Sequence, residues 1–250
     1  MSAADTWLRD VFLYGIFAVA ALYGYKRIFP GHLRSLNKRL SAWLMSKVMW
    51  RVHARCSEEK RLLFRDFDKI TTQDERGPHI LEIGVGPGNN HTHFPRPSRM
   101  SCIEPNSECK KYLEQNLRET RGVKLVQFVR GFAEDMLDFE DNTFDAVVCT
   151  FTLCTVRSLE RALSEIKRVL KPGGVFFFME HVAAPTSSWQ RRAQDRLNVI
   201  WPAMTDGCNL NRETWRFVQD AGFSSTNFTH FSIKFRLISF KAGLYGTAQK

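Results

Sequence analysis

The apolar run Ile80-Leu81-Glu82-Ile83 breaks into glycines at 84, 86 and 88, and a second apolar run ends in Glu104, twenty residues after the first glycine. This pairing constrains the chain more than any other feature. A short buried strand that opens into glycines can turn tightly and leaves room for a ligand to lie against the main chain. A carboxylate at the tip of the neighbouring strand can accept hydrogen bonds from two ribose hydroxyls. Together they predict an open α/β sheet that carries a nucleoside-bearing cofactor at the carboxyl ends of its strands. Dinucleotide sites favour G-x-G-x-x-G, in which the pyrophosphate sits on a helix N-terminus. Here the pattern is G-x-G-x-G with Glu82 two residues ahead of it.

The rest of the chain sharpens the reading. Phe144 to Cys154 contains a third apolar run, and Leu159 to Leu170 has helical periodicity with Leu159, Leu163, Ile166 and Leu170 as its apolar stripe. Lys171-Pro172-Gly173-Gly174 stops that helix and turns the chain into the run Val175 to Met179. These residues resemble the class I S-adenosylmethionine-dependent methyltransferases, in the branch that includes the quinone-biosynthesis enzymes, over about residues 55–250. Cys149 to Val156, Phe178 to Ala184 and Asp206 to Leu210 are similar to the membrane-associated thiol S-methyltransferases of the endoplasmic reticulum and lipid droplets.

The resemblance implies a Rossmann-like, seven-stranded class I methyltransferase sheet with helices on both faces, preceded by an N-terminal membrane-anchor helix. Strands are expected at 79–84, 123–129, 144–150, 174–180, 224–233 and 238–248, besides the run that ends in Glu104. Helices are expected near 107–119, 158–170 and 211–221. The implied cofactor is S-adenosyl-L-methionine, held by Glu82, Gly84, Gly86, Gly88, Asn89, Glu104, Pro105, Ala133, Glu134, Thr150 and Phe151. Where relatives place an acidic residue after the glycine at 131, this chain has Phe132, so adenine recognition passes to the backbone around Ala133 and to Glu134 or Asp135. The implied activity is methylation of a small lipophilic thiol. A lipid or quinone O- or C-methyltransferase is the alternative, and a non-catalytic membrane or lipid-droplet adaptor a further one.

Charge location argues against a nucleic-acid partner. The net charge is +10, but residues 26–65 hold eleven Lys and Arg against only Glu58 and Glu59, so +9 of it lies in that segment. A basic block directly after an apolar segment suits anionic phospholipid headgroups. That apolar segment, Val11 to Tyr25, has fifteen residues without a charge. As a helix it reaches about 22 Å, shorter than the usual spanning length of about 20 residues. The positive flank opposes translocation and places the following domain on the cytosolic side. The organisation expected is an anchor over 1–30, a basic amphipathic helical segment and lid over 31–70, and the methyltransferase domain over 71–250. The address expected is the endoplasmic reticulum membrane or lipid droplet, the oligomeric state a monomer.

Methyl transfer needs a nucleophile held in line with the methyl–sulfur bond, water excluded, and a proton removed where necessary. Candidates past the strand ends are Glu180, His181, Asp206 and Cys208. His181 is the expected base or thiolate stabiliser, and Asp206 is expected to orient it or meet the substrate. Cys154 and Cys208 lie near the expected pocket and read as packing rather than chemistry. The six cysteines form no C-x-x-C pair and read as reduced thiols. His91 and His93 have no further ligands at fixed spacing, so no metal is expected. Residues 182–210, with Trp189, Leu197, Val199, Ile200 and Trp201, read as an apolar substrate cap.

Overall fold

A computed structural model of the chain describes residues 30–70, 72, 74–205, 207–233 and 242–250. The expected anchor, apart from Pro30, and the candidate Asp206 lie outside the described residues. Among the described residues no helix is long and apolar enough to cross a membrane. The chain forms two compact units, Met1–Leu44 and Met45–Lys250. The helix α1 (Pro30–Arg55) contains the boundary between them, and α2 (Ser57–Phe64) follows it. Apolar residues of α1 do not gather on one face over its full length, contrary to the amphipathic pattern expected there. The four-residue spacing of Leu36, Leu40 and Leu44 gives way further on to a basic, irregular stretch.

In the second unit, β1 (His79–Ile83), β2 (Ser98–Ile103), α3 (Lys110–Arg118), β3 (Val123–Val129), β4 (Phe144–Thr150), α4 (Leu159–Val169) and β5 (Leu170–His181) alternate as the sequence predicts. Then come α5 (Trp189–Leu197), α6 (Trp201–Met204), α7 (Thr214–Asp220) and the strands β6 (Ser225–Ser232) and β7 (Ala242–Gln249). The sheet has seven strands in the order β3-β2-β1-β4-β5-β7-β6. The first five strands are parallel, and β7 runs antiparallel to both β5 and β6. The strand order reverses between β1 and β4, which opens a crevice at their carboxyl ends, the usual ligand position in open α/β sheets.

Every residue of β4 is buried, so its near-continuous apolar run is that of a strand covered on both faces. Leu81, Ile83, Val147, Cys149, Phe176 and Phe178 point to one core, which α4 completes with Leu159, Leu163 and Ile166. Ile80, Ala146, Val148, Phe177 and Met179 point to the other, which α2 and α3 cover with Leu63, Phe64 and Leu113. The helix α4 starts where the Ser158 side chain accepts from the Arg161 N–H at 3.2 Å, an N-cap that satisfies one orphan donor. It ends one residue earlier than expected. Lys171 to Gly174 are already drawn into β5, with an irregular register against β4 between Phe144 and Ala146. No α-helix follows the glycine loop. His91–His93 form a single 3₁₀ turn, because Pro95 and Pro97 lie within the next few residues.

Candidate active site

The glycine loop leaves β1 with positive φ at Gly84 (+64°), Gly86 (+50°) and Gly88 (+79°). Two of these positions exclude any side chain on space as well. A Cβ on Gly84 would lie 2.1 Å from Thr152 Oγ1, and one on Gly88 2.5 Å from Leu113 Cδ1. Glu104 is buried at the tip of β2 and fastens the loop. Its Oε2 accepts from the Gly86 N–H at 3.1 Å and its Oε1 from the Asn106 N–H at 2.9 Å. The carboxylate expected to meet a ribose is thus fixed in place by backbone donors on either side of the turn. Pro105 is exposed beside it and turns the chain toward Asn106, whose side chain accepts from the Glu108 N–H.

Below the loop is a buried polar chain that sequence reading found only in part. Glu82 is 1% exposed, and its Oε1 accepts from Asn90 Nδ2 at 2.7 Å. The same Asn90 nitrogen donates to Thr150 Oγ1 at 2.9 Å. Lys60, expected on a basic outer face, is instead buried: its Nζ donates to Asn90 Oδ1 at 2.5 Å and to the Asn89 carbonyl at 3.0 Å. Burial pulls the Lys60 ammonium down to about 7, with Glu82 opposing the shift. Burial pushes the Glu82 carboxyl up to about 7, opposed by the Asn90 hydrogen bond and by Lys60. Glu82 Oε2 is a buried oxygen without a hydrogen-bond partner among the described residues. A buried carboxylate oxygen in that state is costly. A ligand that joins a nucleoside to an α-amino acid carries donors that suit two buried carboxylates such as Glu104 and Glu82.

Residues 45–55 of α1 approach the same place. The Met45 methyl lies 3.3 Å from where a Cβ on Gly86 would stand, and the His53 ring packs edge-on against Phe151 at 5.4 Å. Phe151 has a left-handed φ of +54°, an uncommon conformation for an aromatic residue. Its N–H donates to the Met179 carbonyl at 2.7 Å, which fixes the turn by which the chain leaves β4. Thr150 is buried in the asparagine network just described. Ala133 is buried at the side of the crevice, while Phe132 is 56% exposed. Glu134 has a structural task, since its Oε1 accepts from the backbone N–H groups of Arg157 and Ser158 ahead of α4. Asp145 accepts from the His79 N–H and from Lys171 Nζ and is a structural residue at the other end of the sheet. A cleft of about 1160 Å³ bounded by Leu62, Asp145, Lys171 and Tyr245 lies at that end and includes none of the glycine-loop residues.

A second group of side chains gathers at the carboxyl ends of β4 and β5. Glu180 is fully buried, and its Oε1 accepts from the Thr152 and Leu153 N–H groups at 2.7 and 2.8 Å. It therefore shapes the turn after β4. His181, the last residue of β5, is 7% exposed, and its Nε2 lies 3.1 Å from Cys208 Sγ. Cys154 joins them: the ligating atoms of Cys154, His181 and Cys208 all lie within 4.8 Å of one another. Cys154 hydrogen-bonds Cys208 and, against the effect of burial, holds its thiol well below the ordinary thiol range; His181 adds to the lowering. Cys154 moves the opposite way and keeps its proton, through that same bond and its own burial. Reading the two cysteines as packing is thus corrected, since their sulfurs are turned toward each other and toward the imidazole. All six cysteines are free and buried.

Lys60 and the cysteine pair are the residues of these networks that sequence reasoning misassigned. Lys60 carried one faint signal: it precedes Leu62-Leu63-Phe64 and falls on the face that packs against the sheet. The cysteines carried none, because 54 residues separate them.

Comparison with known proteins agrees with this geometry. Residues 81–178 match the model of a methyltransferase domain family. The chain is 38% identical over 198 residues to the human thiol S-methyltransferase TMT1A, covering 78% of this chain and 79% of that one. It is 33% identical over 220 residues to the mouse thiol S-methyltransferase TMT1B, covering 88% and 90%. Among solved structures, the YcgJ protein of Bacillus subtilis superposes with a TM-score of 0.59 at 15% identity, over 78% of this chain and 98% of that one, which speaks for the fold alone. The glycine loop, the two strand-tip carboxylates and the similarity across most of the chain lead to one assignment: the protein is an S-adenosylmethionine-dependent methyltransferase and belongs to the family of the thiol S-methyltransferases.

Proposed function

We propose that the enzyme methylates small lipophilic thiols at a membrane surface. The observation that carries this reading is the buried group of Cys154, His181 and Cys208 at the carboxyl ends of β4 and β5, in a chain that is 38% identical to a thiol S-methyltransferase. The cofactor, when bound, supplies an electrophilic methyl group on a sulfonium. Glu104 and Glu82 hold its two ends, and the turn from Phe151 to Leu153, fixed by Glu180, lines its methionine side. An acceptor thiol needs little activation, because its ordinary pKa of about 8.5 already leaves a few per cent as thiolate at neutral pH. His181 is the residue placed to stabilise that thiolate. Trp189, Leu197, Val199 and Ile200, each 40–82% exposed, give the cap an apolar outer surface suited to ligands that partition into lipid.

The membrane address rests on the sequence: the uncharged stretch Val11 to Tyr25 followed by the basic block at 26–65, with the catalytic unit on the cytosolic side of the endoplasmic reticulum or of a lipid droplet. Deleting residues 1–29 should move the protein from the carbonate-resistant membrane fraction to the supernatant. Retention after the wash would discredit the anchor.

The decisive experiment offers methyl-labelled S-adenosylmethionine and a panel of thiols, phenols, quinols and lipids to the purified full chain. Label on thiols alone supports the proposal. Label on quinols or lipids would move the enzyme to the alternative, which similarity to a quinone-biosynthesis C-methyltransferase of Klebsiella pneumoniae also favours (30% identity over 174 residues).

A further inference from the structure

The cluster at the carboxyl ends of β4 and β5 has the composition of a metal site. Cys154 comes from the turn after β4, His181 from the end of β5, and Cys208 from the loop after α6. Two sulfurs and one imidazole nitrogen lie within 4.8 Å of one another, and all three residues are buried. In a tetrahedral zinc site with Zn–S of about 2.3 Å and Zn–N of about 2.0 Å, neighbouring ligand atoms stand roughly 3.5–3.8 Å apart. The observed 3.1 Å between His181 Nε2 and Cys208 Sγ needs to open by about half an ångström to reach that spacing.

The supports are already built. Asn209 ties the two cysteine loops together, its backbone N–H and its Nδ2 both donating to the Cys154 carbonyl at 2.9 and 3.2 Å. Arg212 Nη1 donates to the carbonyls of Leu153 and Val156 at 2.7 Å each, on either side of Cys154. Ligands on loops held in this way meet an ion with little reorganisation.

We propose that Cys154, His181 and Cys208 bind a thiophilic divalent cation, zinc by ligand chemistry, and that its fourth position receives the sulfur of the acceptor. The metal site itself stands on geometry; the role of the fourth position rests on the thiol reading above. Three protein ligands with one position left open is the arrangement of zinc sites that act on a substrate, whereas purely structural sites are closed by four. Binding the ion displaces to solvent any proton the two cysteine sulfurs still carry. An acceptor thiol releases its proton to solvent on joining the ion and is held there as a thiolate. Its sulfur then forms a bond to the methyl carbon as the carbon–sulfur bond of the donor sulfonium breaks. Two neutral thioethers result, and the cation is unchanged.

The test uses the full chain. Zinc per chain is measured by mass spectrometry after desalting. Metal-stripped protein is then titrated with cobalt(II) while thiolate-to-metal charge-transfer absorption is followed. One equivalent of metal, and a band that weakens in both Cys154→Ser and Cys208→Ser, is expected. Retained cofactor binding in each variant shows that it is folded. Adding a small thiol to the cobalt-loaded wild type should strengthen the band, as a third sulfur enters. No bound zinc and no band in wild-type protein would overturn the proposal, as would a band that both serine variants retain. Thiol methylation by protein free of metal would remove the site and leave the thiol reading standing. A metal site in a protein that methylates no thiol would keep the site and remove its role in activating the acceptor.

Discussion

The two ends of the crevice are built on different principles. The β1–β2 end is built mainly from backbone: three glycines at positive φ, with Glu104 and Glu82 fixed by nearby donors, all within 25 residues of sequence. The β4–β5 end is built from side-chain atoms of Cys154, His181 and Cys208, each drawn from a different segment. Fit at the first end is decided by the absence of atoms, since a Cβ at Gly84 meets Thr152 at 2.1 Å. Fit at the second is decided by which atoms are present. Substitutions should therefore divide cleanly, with one end governing cofactor affinity and the other turnover.

Gly84→Ala should have the largest effect. The left-handed backbone costs an L-residue about 1–2 kcal/mol, and the clash with Thr152 adds to it. We expect the affinity for S-adenosylmethionine, read by calorimetry, to fall by more than about 100-fold. Affinity within a few-fold of wild type would mean that the loop relaxes and that the steric account of this end is wrong. His181→Ala should act at the other end only. Turnover on thiols should fall about 100-fold, in the range expected for loss of a group that helps hold the acceptor as its thiolate, while cofactor affinity stays within about twofold. An equal loss of both would merge the two ends and make His181 a structural residue of the sheet edge.

This division also explains what could be read in the sequence. Backbone geometry leaves a local trace, because only glycine tolerates Gly84 and Gly88 where they stand. The apolar runs of β1, β4 and β5 report strands covered on both faces. The loop, Glu104, Glu82 and the order of strands were therefore legible. Two local features shape the ends of these elements: Pro95 and Pro97 hold the segment after the loop to one 3₁₀ turn, and the strand absorbs Lys171 to Gly174. Lys60 was read as surface because a lysine in a basic run is ordinarily solvated. Its burial depends on Asn89 and Asn90, about 30 residues away. The cysteine–histidine cluster had no local trace at all, since three segments must fold before the sulfurs meet. Glu134, expected beside the adenine, also accepts from the N–H groups of Arg157 and Ser158, a contact 23 residues away that leaves no local trace.

Glu104→Ala tests whether the cofactor end depends on side chains as well as glycines. Two charge-assisted hydrogen bonds to a ribose are together worth about 2–3 kcal/mol, so affinity should fall by roughly 30- to 160-fold. The Gly86 and Asn106 N–H groups also lose their acceptor. Thiol turnover at saturating cofactor should change little. Wild-type affinity would remove the ribose assignment and leave Glu104 as a brace for the loop.

Glu82→Gln should give the smallest and most diagnostic change. The Glu82 carboxyl is pushed up to about 7 in the folded protein, against an ordinary value of 4.5, so between those pH values the folded chain keeps a proton that the unfolded chain releases. Stability of the cofactor-free protein should then fall as pH rises from 4.5 to 7, because the unfolded state binds fewer protons there. The full shift corresponds to about 3 kcal/mol as an upper bound, or several degrees in melting temperature. Lys60 does not confuse this window: it is lowered only to about 7, so its own contribution rises with pH above that value. Glutamine preserves the acceptor for Asn90 and removes the titration, so the variant's melting temperature should be flatter with pH. Saturating S-adenosylmethionine should flatten the wild-type profile too, because its ammonium pairs with the ionised carboxylate. If wild type and variant lose stability in parallel between pH 4.5 and 7, the buried oxygen of Glu82 is not the ammonium's partner, and the cofactor's amino-acid end must be held by the loop alone.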